Sequence, residues 1–260
     1  MTAFAEGALT LAIDGDVATL AFDRPAKRNA ITLAMWRALP NACAAFATSR
    51  AKVLVVTGRA GHFAAGADIG EFEAVYATPE SAADYNAAIA LGIGAIATLE
   101  KPVLAAIEGA CVGGGLAVAL ACDLRIAAPD ARLAITPAKL GLTYSLEDTK
   151  RLVDAVGASA ARDILFTGRL LGAEEALRLG LIDAVETDVP AAAAAKAADI
   201  AAASQVTVRA IKATIRAILA GAVEDDAATR AAFVASVSGP DFIEGRTAFL
   251  AKRKPVFPER

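Results

Sequence analysis

The sequence predicts an α/β fold, and three observations carry that prediction. Short apolar runs with strand character alternate with longer stretches of helical periodicity through the first half of the chain. Two of the strand-like runs end in glycine-rich turns. From about residue 190 the strand signals stop, and only helical patterns remain.

The elements follow in order. Leu9–Ile13 and Val17–Phe22 flank Asp14-Gly15-Asp16, which reads as a hairpin. Thr32 is placed to cap a helix that runs through Trp36 to about Phe46. Lys52–Thr57 is a strand, followed by a long alanine-rich helix from about Pro79 to Leu99. Lys101-Pro102 ends that helix and opens the strand Pro102–Ile107. A helix over about 114–121 and a strand from Asp123 to Ala127 come next. Further on, Ala191–Ala203 is alanine-rich. The stretch 206–219 then sets Val208, Ile211, Ile215, Ile218 and Leu219 at helical spacing, with Arg209, Lys212 and Arg216 on the complementary face and Gly221 closing it. Such a pattern predicts a helical layer over the core.

Composition narrows the class. A chain of 260 residues is one large domain or a core with an appendage. It is 56% hydrophobic with a mean hydropathy of +0.49, much of it alanine. The longest apolar run, 109–122, is too short to span a bilayer and is bracketed by Glu108 and Asp123. The start Met1-Thr2-Ala3-Phe4 lacks the basic and apolar regions of a signal peptide. No membrane partner is expected. The surplus apolar surface predicts an oligomer. A net charge of −3 with interspersed signs implies no nucleic-acid surface. Cys43, Cys111 and Cys122 lack metal-ligand spacing, and His62 is the sole histidine, so no metal site is expected. The thiols read as small, buried and reduced in a cytoplasmic protein.

The glycine turns carry the chemistry. GHFAAGADI spans 61–69 and GACVGGGLAVALACD spans 109–123. Glycine allows a sharp turn and a close approach to peptide N–H groups. Two such turns side by side can aim two N–H donors at one oxygen, each worth about 2.7–4 kcal/mol in measured oxyanion holes.

This pair resembles the crotonase, or enoyl-CoA hydratase/isomerase, superfamily. Three other stretches extend the resemblance over nearly the whole chain: Asp23–Ile31, LFTGRLLGAEEALRLGLIDAV at 165–185, and FIEGRTAFLAKRKPVF at 242–257. The resemblance implies a spiral of ββα units over residues 1–190 holding an acyl-CoA site. It also implies a helical region over 191–260 that builds a homotrimer or a dimer of trimers and covers the CoA. The oxyanion donors would be Ala67 and Gly114, gripping the thioester carbonyl. Ala26, Arg28, Ala65 and Ile69 correspond to positions that cradle CoA, Asp68 to a loop-fixing residue, and Lys252 to a phosphate contact from the last helix. CoA is part of the substrate, and no separate cofactor is expected.

One half of the family's machinery is missing. Hydratases of this family use two glutamates, one two positions after GGG and the other after a proline about twenty residues on. Here those positions are Ala117 and Ala138. Alanine can neither orient water nor move a proton, so ordinary hydration is disfavoured. The segment Thr136–Asp148 resembles the acyl-CoA decarboxylase branch, in which the residue matching Tyr144 faces the acyl group. Tyr144 is then either a hydrogen-bond or proton donor, or an ordinary packed aromatic. Ser145 lacks a neighbouring base, and Glu147 and Asp148 read as a helix N-terminus. The resemblance favours decarboxylation of a short malonyl-type thioester, then isomerisation, then residual hydration. A non-catalytic CoA-thioester-binding homologue is the alternative class.

Overall fold

The computed structural model describes residues 1–257. Strand β1 (Thr2–Phe4) pairs antiparallel with β2 (Leu9–Asp14), and β2 pairs with β3 (Val17–Phe22) across the expected hairpin, where Gly15 adopts φ +55°. Helix α1 (Leu33–Ala47) starts where Thr32 accepts the Met35 N–H at 3.3 Å. After β4 (Val53–Gly58) come a short α2 (Phe72–Val75) and α3 (Pro79–Ala97). Thr78 and Ser81 form a reciprocal capping box at the start of α3. Then follow β5 (Val103–Ile107), β6 (Ala110–Val112), α4 (Gly114–Ala121), β7 (Leu124–Ala127) and β8 (Arg132–Ala134).

The remainder comprises α5 (Pro137–Leu140), α6 (Leu146–Thr167, broken at Gly157 with φ +75°), β9 (Leu171–Gly172), α7 (Ala173–Arg178) and β10 (Ala184–Val185). Helices α8 (Val189–Ala202), α9 (Gln205–Leu219), α10 (Ala227–Val237) and α11 (Pro240–Leu250) complete the described chain.

A seven-stranded sheet has the order β1-β2-β3-β4-β5-β7-β10, and a three-stranded sheet the order β6-β8-β9. From β3 onward every neighbour in the large sheet is parallel. Each turn of the chain gives a strand to the large sheet, a short segment to the small one, and then a helix. β5-β6-α4 and β7-β8-α6 follow this rule. So does β4-α3, whose intervening residue Ala64 bridges Cys111 of β6. The fold is the crotonase-like spiral of ββα units.

The period of two along β4 divides the core. Leu54 and Val56 join the main cluster with Trp36, Phe46 and Ile96, whereas Val53 and Val55 face α8. Val189, Ala193, Ala197 and Ala201 of α8 seal that second face against Leu104, Ala106 and Ile126. A boundary at 190/191 therefore falls inside α8, which is a layer of the core. The helices that do not cover the sheet begin at α9.

Helix α9 reverses the packing its pattern suggests. Lys212 is buried, its Nζ donating to Asp123 at 2.7 Å and to the Lys101 carbonyl at 2.9 Å. Ile211, Ile215, Ile218 and Leu219 stand exposed. Its end is as expected: the helix stops at Leu219, and Gly221 takes the left-handed conformation at φ +102°. Among the described residues no helix is long and apolar enough to cross a membrane.

Candidate active site

Three segments leave the small sheet side by side and in one direction. β6 and β8 are parallel, with Val112 opposite Ala134, and the 64–67 segment runs parallel to β6 through Ala64. The first glycine turn, the second glycine turn and the Thr136–Asp148 loop therefore emerge at the same edge.

Backbone bonds fix the two turns against each other. The Ala64 N–H donates to the Ala110 carbonyl at 2.9 Å and the Val112 N–H to the Ala64 carbonyl at 3.0 Å, while Gly113 N–H reaches the Ala134 carbonyl at 2.7 Å. A Cβ on Gly115 would stand 2.3 Å from the Ala64 carbonyl oxygen, so only glycine permits this approach. Gly66 and Gly113 take φ of +105° and +53°, a region that L side chains avoid.

Ala67 and Gly114 are brought together. The Cβ position of Gly114 lies 3.7 Å from Ala67 N, and that of Gly66 lies 3.8 Å from Gly114 N. On either side of Ala67, the Ile31 N–H donates to the Gly66 carbonyl and the Asp68 N–H to the Ile31 carbonyl. The Ala67 N–H donates to no other group among the described residues. Gly114 is the first residue of α4, whose opening N–H groups have no partner within the helix and mark the positive end of its dipole. The Ala67 and Gly114 backbone nitrogens thus lie close together, one of them at a helix start.

Around them, Ala65 N–H donates to the Arg28 carbonyl at 2.9 Å, joining the Arg24–Arg28 turn to the first glycine turn. Ala26, Arg28 and Ile69 are exposed there. Asp68 ties down its own loop, accepting from Arg24 at 2.9 Å and from the Gly70 N–H at 3.0 Å. Burial opposes its ionisation, but these bonds and the Arg24 charge outweigh that and hold its pKa below the ordinary value. No bond among the described residues joins Lys252 to this group; its N–H closes the end of α11 on Phe249.

The loop half of the site is built from side chains. Tyr144 packs on the main core with its hydroxyl buried and unpartnered among the described residues. Burial pushes its pKa up, Asp148 adds to this and Arg151 opposes it, so the hydroxyl keeps its proton. Ser145 caps α6: its Oγ accepts the Asp148 N–H at 3.1 Å and donates to the Asp148 carboxylate at 2.7 Å. Arg151 donates to the other Asp148 oxygen at 2.7 Å, while Glu147 points outward. Ala117 is buried in the core, and Ala138 is exposed.

Sequence reasoning missed two kinds of residue. Asn29, fully buried, donates to the Arg59 and His62 carbonyls and accepts the Arg24 N–H, knotting the Asp23–Ile31 stretch to the first turn. Its signal was an amide inside a tight turn, where φ is +59°. Trp36 was seen only as a helix residue, yet its Cζ2 lies 2.9 Å from the Gly114 Cβ position. His62 is occupied structurally, Nδ1 accepting the Ala110 N–H at 3.2 Å. Among the described residues no cluster of His, Cys, Asp or Glu is placed to hold a metal ion.

A spiral of strand–strand–helix units, with two glycine turns crossing at a helix N-terminus, is the architecture of the crotonase class. The enoyl-CoA hydratase/isomerase family model matches residues 12–260. The 2,3-dehydroadipyl-CoA hydratase of Escherichia coli is 33% identical, covering 94% of this chain and 96% of its own. An enoyl-CoA hydratase/isomerase family protein of Hyphomonas neptunium superposes with a TM-score of 0.94 at 44% identity, over 97% and 98% of the two chains. An enoyl-CoA hydratase/carnithine racemase of Magnetospirillum magneticum gives 0.92 at 33% identity, over 97% and 96%. The chain belongs to the enoyl-CoA hydratase/isomerase family and is an enzyme of the crotonase superfamily acting on acyl-CoA.

Proposed function

We propose that this enzyme decarboxylates a short malonyl-type acyl-CoA through a thioester enolate. The observation that carries the reading is the closeness of the Ala67 and Gly114 nitrogens, with a protonated Tyr144 in the Thr136–Asp148 loop and no carboxylate at position 117 of α4 or position 138 of the loop. The bond between the α-carbon and the carboxylate carbon breaks, its electron pair passes into the enolate, and carbon dioxide leaves. The two N–H donors hold the oxygen as its charge develops. The α-carbon then takes a proton from the Tyr144 hydroxyl, which is restored from solvent. A site without a free carboxylate suits an anionic substrate, because a like charge would repel it. The CoA moiety packs along Ala26, Arg28, Ala65 and Ile69, with Lys252 reaching a phosphate, and no further cofactor takes part.

The names of the relatives favour a second reading, hydration. Incubating the enzyme in heavy water with malonyl-type and enoyl thioesters separates the two by mass spectrometry. We expect loss of carbon dioxide with one deuterium in the product, and negligible gain of water by a short enoyl-CoA. Brisk hydration would overturn the use made of Ala117 and Ala138. Binding of every thioester without turnover would favour a non-catalytic homologue.

The helical region from α9 onward suits a homotrimer or dimer of trimers. Ile211, Ile215, Phe233, Val237, Phe249 and Leu250 are exposed there, apolar side chains that assembly would bury. Ile211 and Ile215 also line a groove of about 1320 Å³ between α6, α8 and α9. Light scattering of Ile215→Asp against the parent measures the assembly. The three buried, unpaired thiols suit the cytoplasm, burial pushing the Cys43 pKa up to about 12.

A further inference from the structure

One bond between the two glycine turns is made by a side chain. The first turn meets the β6 segment through main-chain bonds: the Phe63 N–H to the Glu108 carbonyl, the Ala64 N–H to the Ala110 carbonyl and the Val112 N–H to the Ala64 carbonyl. The chain before Phe63 turns at Gly61, where φ is +73°, and no carbonyl of the first turn accepts the Ala110 N–H among the described residues. His62 takes that place, its Nδ1 accepting the Ala110 N–H at 3.2 Å.

The seat is shaped for the ring. Gly109 takes φ +50°, and a Cβ there would stand 2.4 Å from His62 Nδ1, 3.1 Å from Cε1 and 2.3 Å from the Gly61 carbonyl oxygen. Only glycine lets the imidazole lie against this corner. The His62 carbonyl accepts from the buried Asn29 amide at 2.6 Å, so the backbone that carries the ring is held as well. The tie is close to both donors in the chain. Phe63–Gly66 separate His62 from Ala67, and Cys111–Gly113 separate Ala110 from Gly114.

A backbone N–H can only donate, so the ring atom facing it is an unprotonated nitrogen, and the neutral ring carries its proton on Nε2. A second proton would turn Nδ1 from acceptor to donor and set two N–H groups against each other. Histidine ordinarily changes charge between about pH 5 and pH 8, and His62 is only half-buried. Charged residues on the surrounding segments are Arg59 on its own turn, Arg24, Lys27 and Arg28 before Asn29, Glu108 beside Gly109, and Asp130 and Arg132 between β7 and β8. Among the described residues none of them forms an ion pair or hydrogen bond with the imidazole. Arg132 turns its guanidinium to the Asp130 and Ala131 carbonyls.

We propose that His62 is a positioning residue that keeps the two glycine turns, and with them the Ala67 and Gly114 N–H groups, in register only while Nδ1 is unprotonated. Turnover is thereby switched down in acid by the chain's sole histidine. This rests on the reading of those N–H groups as the oxyanion donors. Because the histidine is the only one, NMR follows its ring protons without overlap, together with the Ala110 amide. Both signals should move through one midpoint, and kcat for the best thioester of the heavy-water panel should fall about tenfold through the same midpoint, with a smaller change in KM. His62→Asn, whose side-chain oxygen can accept in place of Nδ1 without titrating, should keep the parent rate at pH 8 and lose that acid limb. His62→Phe, which keeps a ring without an acceptor, should run about tenfold slower than the parent at pH 8. An Ala110 amide indifferent to the ring's titration would overturn the proposal, whether or not any thioester reacts. An acid limb that persists in His62→Asn would assign the switch to another group. A moving amide with an unchanged rate would show that the tie does not govern the donors. Failure of the donor reading itself shows differently, as a full rate in Gly115→Ala.

Discussion

The glycine turns and the Thr136–Asp148 loop leave the same sheet edge but are held in different ways. The turns are fixed by main-chain bonds on both flanks, from Ile31 on one side and from Ala110 and Ala134 on the other. The loop is anchored chiefly at its far end, where Ser145, Asp148 and Arg151 bond one another. The difference teaches where the two parts of the chemistry reside. In the proposed mechanism peptide groups would grip the carbonyl and need only glycines that permit close approach, whereas proton transfer would need side chains. Replacing Glu by Ala at positions 117 and 138 can thus change the reaction while leaving the grip untouched.

The largest effect should come from closing the approach between the turns. Gly115→Ala puts a Cβ where the Ala64 carbonyl oxygen and Cβ already stand, at 2.3 and 2.9 Å. Backbone must move, at about 1–3 kcal/mol of stability. Turnover should fall by about 100-fold or more as the donors separate. Denaturant titration and steady-state rates measure the two losses. A variant of unchanged rate would show that the Gly114 N–H is not a donor to the reacting oxygen.

Next comes Tyr144→Phe, which leaves the turns intact and removes only a hydroxyl. Turnover should drop by about 100-fold. Stability should hold or rise slightly, because the lost oxygen is buried without a partner. A matched fall in stability and rate would mean that the residue is merely packing.

The missing glutamates allow a reciprocal test. Ala138 is exposed, so Ala138→Glu should alter stability by less than about 0.5 kcal/mol. Ala117 lies in the core, and Ala117→Glu should destabilise by more than about 1 kcal/mol. Only the double variant should hydrate a short enoyl-CoA measurably, followed by loss of the conjugated absorbance. Hydration by the parent protein would erase the contrast between the two halves.

Much of the fold was legible because its signals are local. The hairpin at Gly15, the Thr32 cap and the 114–121 helix each declare themselves within a few residues. The two-residue strands β9 and β10 carry no periodicity, and only tertiary pairing makes them strands. Helix α9 shows a deeper limit. Its spacing tells which residues share a face but not which face turns inward, and the ion pair of Lys212 with Asp123 decides that from 89 positions away. The site divides in the same way. The convergence of Ala67 and Gly114 follows from two sequence motifs and a known arrangement. Trp36 against Gly114 is a contact between a helix and a turn that no motif joins.

The smallest expected effect concerns the tie beneath the first turn. Asp68 is held below its ordinary pKa by Arg24 and the Gly70 N–H, against the opposing effect of burial. A carboxylate of this kind adds stability that is complete above its unfolded-state pKa, about 3.9, and is lost as the pH falls through its lower folded value. Chemical denaturation between pH 7 and pH 2 should therefore show an acid-side loss that Asp68→Asn diminishes. The pair is partly open to solvent, so its contribution at neutral pH should be under about 1 kcal/mol. The effect on function should exceed that figure in one respect. Loosening Asp68 frees the residue next to Ala67, so Asp68→Asn should lower turnover more than it lowers stability, and an equal fall in both would show that the tie holds the fold alone.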